Sequence, residues 1–342
     1  MALLSAFTIN NIGKPSPPPI SHLQLASSRG RAFCAHVNFD RQAYWTSINS
    51  DVKAYLQAAI SSSSSKVADI IDRDPFRYTV LSTPVSLAAL LCVAASELVS
   101  GQRGPALPTA CGLHIMHAAL EAHRQMPALF DVPVHLGRAS THLAFGCNFV
   151  LLASDGLMPL AYQQVATAGA HLGDRALRVV VELAKAAGSQ GMVGGLYYEL
   201  RNALPPPPPS MAAASADDHA FEQVGGAVME KKSSLIECGC ACGGIVCGGS
   251  EDEIESLRRY GKCVGMLQEA LKCVEEEEIK LRGSSESACS ERDKALEVAE
   301  ELRVRAVKEL AAFDEGKAAG LYGLVHGSLD HVVRGLELIR EL

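Results

Sequence analysis

The stretch Asp51-Val-Lys-Ala-Tyr-Leu-Gln-Ala-Ala59 places Val52, Tyr55, Leu56 and Ala59 at i, i+3, i+4 and i+7. Apolar residues at that spacing share one face of a helix with a 3.6-residue period. Near the other end the pattern returns: Leu296, Ala299, Leu302, Ala306 and Leu310 form an apolar stripe, while Glu297, Glu300, Glu301, Arg303 and Arg305 face away. Val-rich alternating strands joined by Asn-Gly or Asp-Gly turns are missing. The expected fold is all-α, with ten or more helices packed as one large bundle.

Composition narrows the function. A chain of 342 residues that is 48% hydrophobic has ample material for a core, which excludes a disordered or fibrous protein. A net charge of -7 and 5% aromatic residues argue against a nucleic-acid binder, which needs a basic footprint and stacking rings. The apolar runs Val85 to Ala95 and Phe149 to Ala153 are interrupted by Glu97 and Asp155. That is well short of the ~20 residues of a membrane span, so both read as buried helices. The eleven cysteines are odd in number and lie inside apolar stretches, which predicts mostly reduced, buried thiols in an intracellular compartment.

No Asp or Glu precedes Asp40, whereas Ser5, Ser16, Ser21, Ser27, Ser28, Lys14, Arg29, Arg31 and the run Pro17 to Pro19 all do. An acid-free, Ser-rich, weakly basic leader is the composition of an organelle transit peptide, with the plastid as the preferred address; a plain disordered tail is the alternative. The expected organisation is a leader over 1–42 and a single helical domain over 43–342. Pro205 to Pro209, followed by Ser210-Met-Ala-Ala-Ala-Ser215, predicts an extended, mobile loop near 203–222, and a further break is expected near Gly283-Ser284-Ser285.

Two clusters could carry chemistry. His114, His117 and His123 share a helical stretch, but no carboxylate or cysteine is placed to complete a metal shell, which favours packed or hydrogen-bonded histidines. Cys238, Cys240, Cys242 and Cys247 lack the Cys-x-x-Cys pairing of zinc ribbons. On a helix Cys238 and Cys242 are one turn apart, and with Gly239, Gly243 and Gly244 they form a narrow surface of small residues. Another helix could approach closely there, from this chain or from a partner. Glu275 to Glu278 reads as a solvated face, and the Gly-Gly pairs at 243 and 248 lack the strand and lysine of a phosphate loop.

From about Tyr44 to Leu329 the chain resembles plant geranylgeranyl diphosphate synthases of the trans-prenyltransferase family. The resemblance is carried by Cys92-Val-Ala-Ala-Ser-Glu-Leu-Val, Leu107-Pro-Thr-Ala-Cys-Gly-Leu-His-Ile-Met-His, Gly137 through His142 to Phe145-Gly146, and Leu152-Ala-Ser-Asp155. It continues in Gly191-Met-Val-Gly-Gly, Lys231 through Glu237, Gly248-Gly-Ser-Glu-Asp-Glu-Ile, Leu257-Arg-Arg-Tyr-Gly-Lys-Cys-Val-Gly-Met-Leu and Leu310-Ala-Ala-Phe-Asp. It implies an isoprenoid synthase bundle around a deep apolar cavity, where Mg²⁺ held between two Asp-rich segments neutralises a departing pyrophosphate.

The residues at the corresponding positions differ. The first Asp-rich motif falls on Arg124-Gln125-Met-Pro-Ala-Leu-Phe130, and the second on Lys272-Cys273-Val-Glu-Glu276, where Glu276 alone keeps an acid. The family's cationic Gly-Gly-Lys-Arg segment falls on Thr83 to Ala89, which has no cation, and its Gln-x-x-Asp on Leu196-Tyr-Tyr-Glu199. Glu97, His117, His142, Asp155, Lys231 and Glu237 keep the family's residue types. The resemblance therefore implies a fold kept without its chemistry: no catalytic residue, and no cofactor in this subunit, with Mg²⁺ expected only in a catalytic partner.

That pattern is similar to the plant small subunits of heteromeric geranyl or geranylgeranyl diphosphate synthases, and most to their second type, which recruits the geranylgeranyl enzyme. Such subunits carry two Cys-x-x-x-Cys motifs used in subunit interaction. Here the second is intact from Cys238 to Cys242, and the first reads Cys92 to Ser96. The resemblance implies that Cys92, Ser96, Cys238 and Cys242 mark the partner surface, through close packing rather than a disulfide. The implied partner is a plastid geranylgeranyl diphosphate synthase large subunit, in a heterodimer or heterotetramer, with a downstream geranylgeranyl reductase complex on thylakoids as a further contact.

Overall fold

A computed structural model describes residues 40–63, 74–135, 137–168, 172–203, 220–281 and 287–328. Residues 1–39 of the leader expected over 1–42, the proline-rich run within 204–219 and the Gly283 break lie outside the described residues.

The helical expectation holds. α1 (Arg41–Ser63) buries Ile48, Val52 and Leu56 along the stripe read from the sequence. It begins inside the expected leader boundary at 42, and Arg41 Nη1 donates to the carbonyl of Gly323, 3.0 Å away. α2 (Pro75–Ser82) starts where the Asp74 carboxylate accepts the Phe76 N–H at 2.9 Å, with proline in its first turn where no N–H is needed. α3 (Leu87–Ser100) is capped by Ser86 and stops at Gly101, whose φ of 73° few other residues adopt. It is apolar almost all round and buried on nearly every side, as a central helix must be.

α4 (Leu107–Arg124) and α6 (Cys147–Ala168) pack together, with the short α5 (Thr141–Phe145) between them in sequence. α7 (Asp174–Ala187) and α8 (Met192–Ala203) follow. α9 (Ala220–Cys247) then packs against α3, α7, α8 and α10 (Glu251–Leu281), and α11 (Ser287–Glu309) covers α10. A 3₁₀ turn, Leu310–Ala312, leads to helical backbone over 319–328. One element departs from the all-helical reading: a two-stranded hairpin, β1 (Val134–His135) and β2 (Arg138–Ala139), with Val134 opposite Ala139. Its two-residue strands are too short for an alternating pattern to register, and Gly137 at φ 76° makes the turn.

The small-residue surface on α9 is filled from within the chain. A Cβ on Gly239 would lie 2.3 Å from the Ala88 carbonyl oxygen, and one on Gly243 would lie 2.3 Å from that of Cys92. The helix that approaches is therefore α3. Cys92, Ser96, Cys238 and Cys242 are all buried in this seam, none more than 2% exposed. These four residues, expected to mark a partner surface, lie between α3 and α9 in the isolated chain. The thiols are free, with Cys238 and Cys242 Sγ atoms 3.6 Å apart. The contact with Cys242 and burial hold the Cys238 thiol well above its usual range, and burial does the same for Cys92, which disfavours the thiolate at both.

His114 likewise proves to be a packed histidine. Its Nδ1 accepts the Ser86 N–H at 3.2 Å and its Nε2–H donates to the Val80 carbonyl at 3.0 Å, which ties the end of α2 to the start of α3. Burial pushes its pKa down to about 4, so the neutral ring is the one the fold holds.

Candidate functional site

A cavity of about 580 Å³ opens between five elements. The α2–α3 junction contributes Thr83 to Ala88, and α4 contributes His117, Leu120, Glu121 and Arg124. α8 adds Met192, Leu196 and Glu199, α9 adds Met229, Lys232, Leu235 and Ile236, and α10 adds Gln268, Glu269, Lys272 and Cys273. The three segments on which the resemblance places the Asp-rich and cationic motifs thus converge on one space, although they lie far apart in sequence.

An ion-pair chain runs among its lining residues. Arg124 Nη2 lies 3.2 Å from Glu199, and its guanidinium stands 5.1 Å from the Phe130 ring centroid. Lys232 Nζ is 3.7 Å from Glu199 and 2.7 Å from Glu269. Lys272 Nζ completes the chain at 2.6 Å from the other oxygen of Glu269. Burial opposes the charge on Glu269, but the Lys232 and Lys272 ammonium groups outweigh it and hold the carboxyl below its usual range. Burial also opposes the charge on Lys232, and Glu269 and Glu199 outweigh it in turn.

Of the six positions expected to mark a former metal site, Arg124, Lys272 and Cys273 line the cavity, and Phe130 reaches it by backing Arg124. Gln125 does not line it: it is 6% exposed and lines a separate small pocket with Ala122, Arg138 and Thr141. The side chain of Glu276 lies outside the described residues. Lys232 and Glu269 escaped the sequence reading. The spacing Glu269 to Lys272 is an i, i+3 pair visible in the sequence, but nothing local shows Lys232 reaching it from another helix.

These residues do not fit Mg²⁺. A hard cation needs several oxygen ligands, and of the cavity carboxylates Glu199 and Glu269 are already matched to a guanidinium and two ammonium groups, while Glu121 stands beside the Arg124 guanidinium. Among the described residues no three His, Cys, Asp or Glu converge to hold a metal.

The retained family residues are scattered. His117 lines the cavity; Glu97 instead pairs with Arg103 at 2.8 Å and accepts from Tyr44, tying α3 to α1. Lys231 donates to the Ser189 and Gln190 carbonyls, at 3.3 and 3.1 Å. Asp131 Oδ1 is 3.9 Å from Nε2 of the buried His142.

Outside the cavity, large apolar side chains stand in solvent. On α5 and α6, Leu143, Phe149 and Leu152 are 58%, 57% and 65% exposed, and on the neighbouring α7 Leu177 and Val181 lie one turn apart. No single helix among the described residues is long and apolar enough to cross a membrane, and only the bent pair α2–α3 passes by length and composition.

No protein-family profile matches the chain. It is 36% identical over 310 residues to the chloroplastic heterodimeric geranylgeranyl pyrophosphate synthase small subunit of Arabidopsis thaliana, covering 89% of this chain and 86% of that one. The chain belongs to the trans-prenyltransferase family, among its plant small subunits. Solved structures agree. The geranyl diphosphate synthase small subunit of Antirrhinum majus superposes with a TM-score of 0.61 at 30% identity, covering 84% of this chain and 99% of that one. A chain of the mint heterotetrameric geranyl pyrophosphate synthase does so with a TM-score of 0.59 at 28% identity, covering 83% and 99%. The chloroplast address of the Arabidopsis relative accords with the composition of the leader.

Proposed function

We propose that the chain is a non-catalytic subunit that binds a chloroplast geranylgeranyl diphosphate synthase and alters what that enzyme makes or where it works. The observation that carries this reading is the ion-pair chain from Arg124 to Lys272, which holds fixed cations where the chemistry of the fold requires a metal and its carboxylates. The kinship supports it, since the Arabidopsis relative is a heterodimeric small subunit and the mint enzyme is heterotetrameric. The second-type resemblance favours enhanced geranylgeranyl diphosphate output and delivery toward chlorophyll synthesis. The Antirrhinum and mint likenesses favour a second reading, a shift of product toward geranyl diphosphate.

With the cysteine seam used inside the chain, the partner needs another surface. The exposed Leu143, Phe149, Leu152, Leu177 and Val181 supply one, because large apolar groups left in water gain free energy when a partner helix covers them. A subunit docked there stands against helices of the synthase and can shift its cavity wall, which sets where chain growth stops.

Co-expression with a chloroplast geranylgeranyl diphosphate synthase, followed by size-exclusion chromatography, tests the surface. Phe149→Asp with Leu152→Asp is expected to lower co-purification at least tenfold without lowering the melting temperature of the isolated chain, because both residues are already exposed. An undiminished complex would rule this face out. Cys242→Trp is no test of the interface, since a buried side chain of that size disrupts the fold first.

A further inference from the structure

The first turn of α1 reaches the far end of the described chain. The Asp40 carboxylate accepts the Ala43 N–H at 2.9 Å and the Asp40 carbonyl accepts the Tyr44 N–H at 3.0 Å, which caps and closes that turn. Gly320, Gly323 and Gly327 recur at i, i+3 and i+7 on the helical backbone over 319–328, so their missing side chains leave one groove. Arg41 and Tyr44 occupy it. A Cβ on Gly327 would strike the Arg41 guanidinium, one on Gly323 would lie 3.1 Å from the Arg41 Cδ, and one on Gly320 would strike the Tyr44 ring. Tyr44 is held from the other side as well: its hydroxyl donates to Glu97 at 2.9 Å, and the Arg103 guanidinium stands 5.3 Å from its ring centroid.

The composition changes at the same residue, because Asp40 is the first acid of the chain. A processing peptidase adds water across one peptide bond, leaving a carboxylate on the leader and an amine on the mature chain. It needs backbone free of a folded turn. A cut at the expected boundary of 42 would discard the Asp40 cap and the Arg41 bond to Gly323, and would leave part of the glycine groove empty.

We propose that the leader is removed by a cut on the N-terminal side of Asp40, so that Asp40 and Arg41 belong to the mature subunit and clasp α1 to the helical backbone over 319–328. The proposal rests on the chloroplast address and the leader reading. It is independent of the non-catalytic reading and of where the partner docks.

Import of the full chain into isolated chloroplasts, followed by mass spectrometry of its N-terminal peptide, locates the cut. The expected first residue of the imported chain is Asp40 or one before it. A chain that begins at Arg41 or later overturns the proposal; one that is not imported, or keeps Met1, overturns the leader reading on which it rests. Chains expressed from Asp40 and from Ala43 test the clasp, and the shorter is expected to melt at least ~4 °C lower, having lost a cap and a hydrogen bond. Arg41→Ala in the longer chain is the milder variant, and it decides the matter if the shorter chain does not fold. Its amide hydrogen exchange over 319–328 is expected to quicken at least ~3-fold while α3 is unchanged. Equal melting of the two chains, or unchanged exchange over 319–328 in Arg41→Ala, overturns the clasp.

Discussion

Purified alone and supplied with dimethylallyl and isopentenyl diphosphates and Mg²⁺, the chain is expected to form no prenyl product above background. Departure of pyrophosphate leaves several negative charges on one group, and each metal that neutralises them contributes several kcal/mol to the transition state. At about 1.4 kcal/mol per factor of ten, the proposed absence of both metal clamps should place turnover at least ~10³-fold below that of a synthase. The cations lining the cavity do not substitute for the metals. Arg124, Lys232 and Lys272 are already paired with Glu199 and Glu269, with Glu121 beside Arg124, and a charge held in such pairs has less left for a leaving group. Mass spectrometry of extracted products checks this, and geranyl, farnesyl or geranylgeranyl products made by the chain alone would refute it.

Gly243→Leu is expected to destabilise the fold by at least ~3 kcal/mol, toward the upper end of overpacking costs, because the obstacle is backbone. The new Cβ alone would lie 2.3 Å from the Cys92 carbonyl oxygen and 2.7 Å from the Ala95 Cβ, so α3 must move before the rest of the side chain is accommodated. Gly239→Leu meets the Ala88 carbonyl in the same way. Leucine would otherwise favour the helix by most of a kcal/mol over glycine, so the sign itself is informative. For a domain of this size the expected fall in melting temperature is roughly 2–4 °C per kcal/mol. Gly104→Ala is the control, since a Cβ there has nothing within 4 Å and should leave the melting temperature nearly unchanged. A Gly243→Leu chain that melts with the wild type would show that α3 does not pack there.

The seam also shows what a sequence can and cannot reveal. Cys238, Gly239, Cys242 and Gly243 announce close helix approach through their size alone, and the approach is real. The identity of the approaching helix depends on tertiary topology, and i, i+4 spacing is the same whether the neighbour belongs to the chain or to a partner. The all-helical class was legible because the apolar stripes on α1 and α11 are long and regular. The hairpin at Val134 was not, because two residues per strand carry no period.

The cavity was half legible. The altered residues at Arg124, Lys272 and Cys273 could be read one at a time against a resembling family. The way their charges are neutralised could not, because Lys232 and Glu199 come from different helices and meet only in the folded chain. The proposed partner face shows the same limit. Leu143, Phe149 and Leu152 look like ordinary core residues in a sequence, and only their exposure distinguishes them.

The central claim is that in a complex with a synthase this chain contributes binding and no catalysis. Its most direct test is a prenyltransferase assay on the complex assembled with a large subunit whose own Asp-rich metal ligands have been changed to alanine, checked by sizing to confirm that both subunits are present. The expected result is an intact complex with no turnover, while the same complex with an unaltered large subunit is active. Product formed by the complex whose large subunit has lost its metal ligands would contradict the account, because this chain would then be the only source of the chemistry.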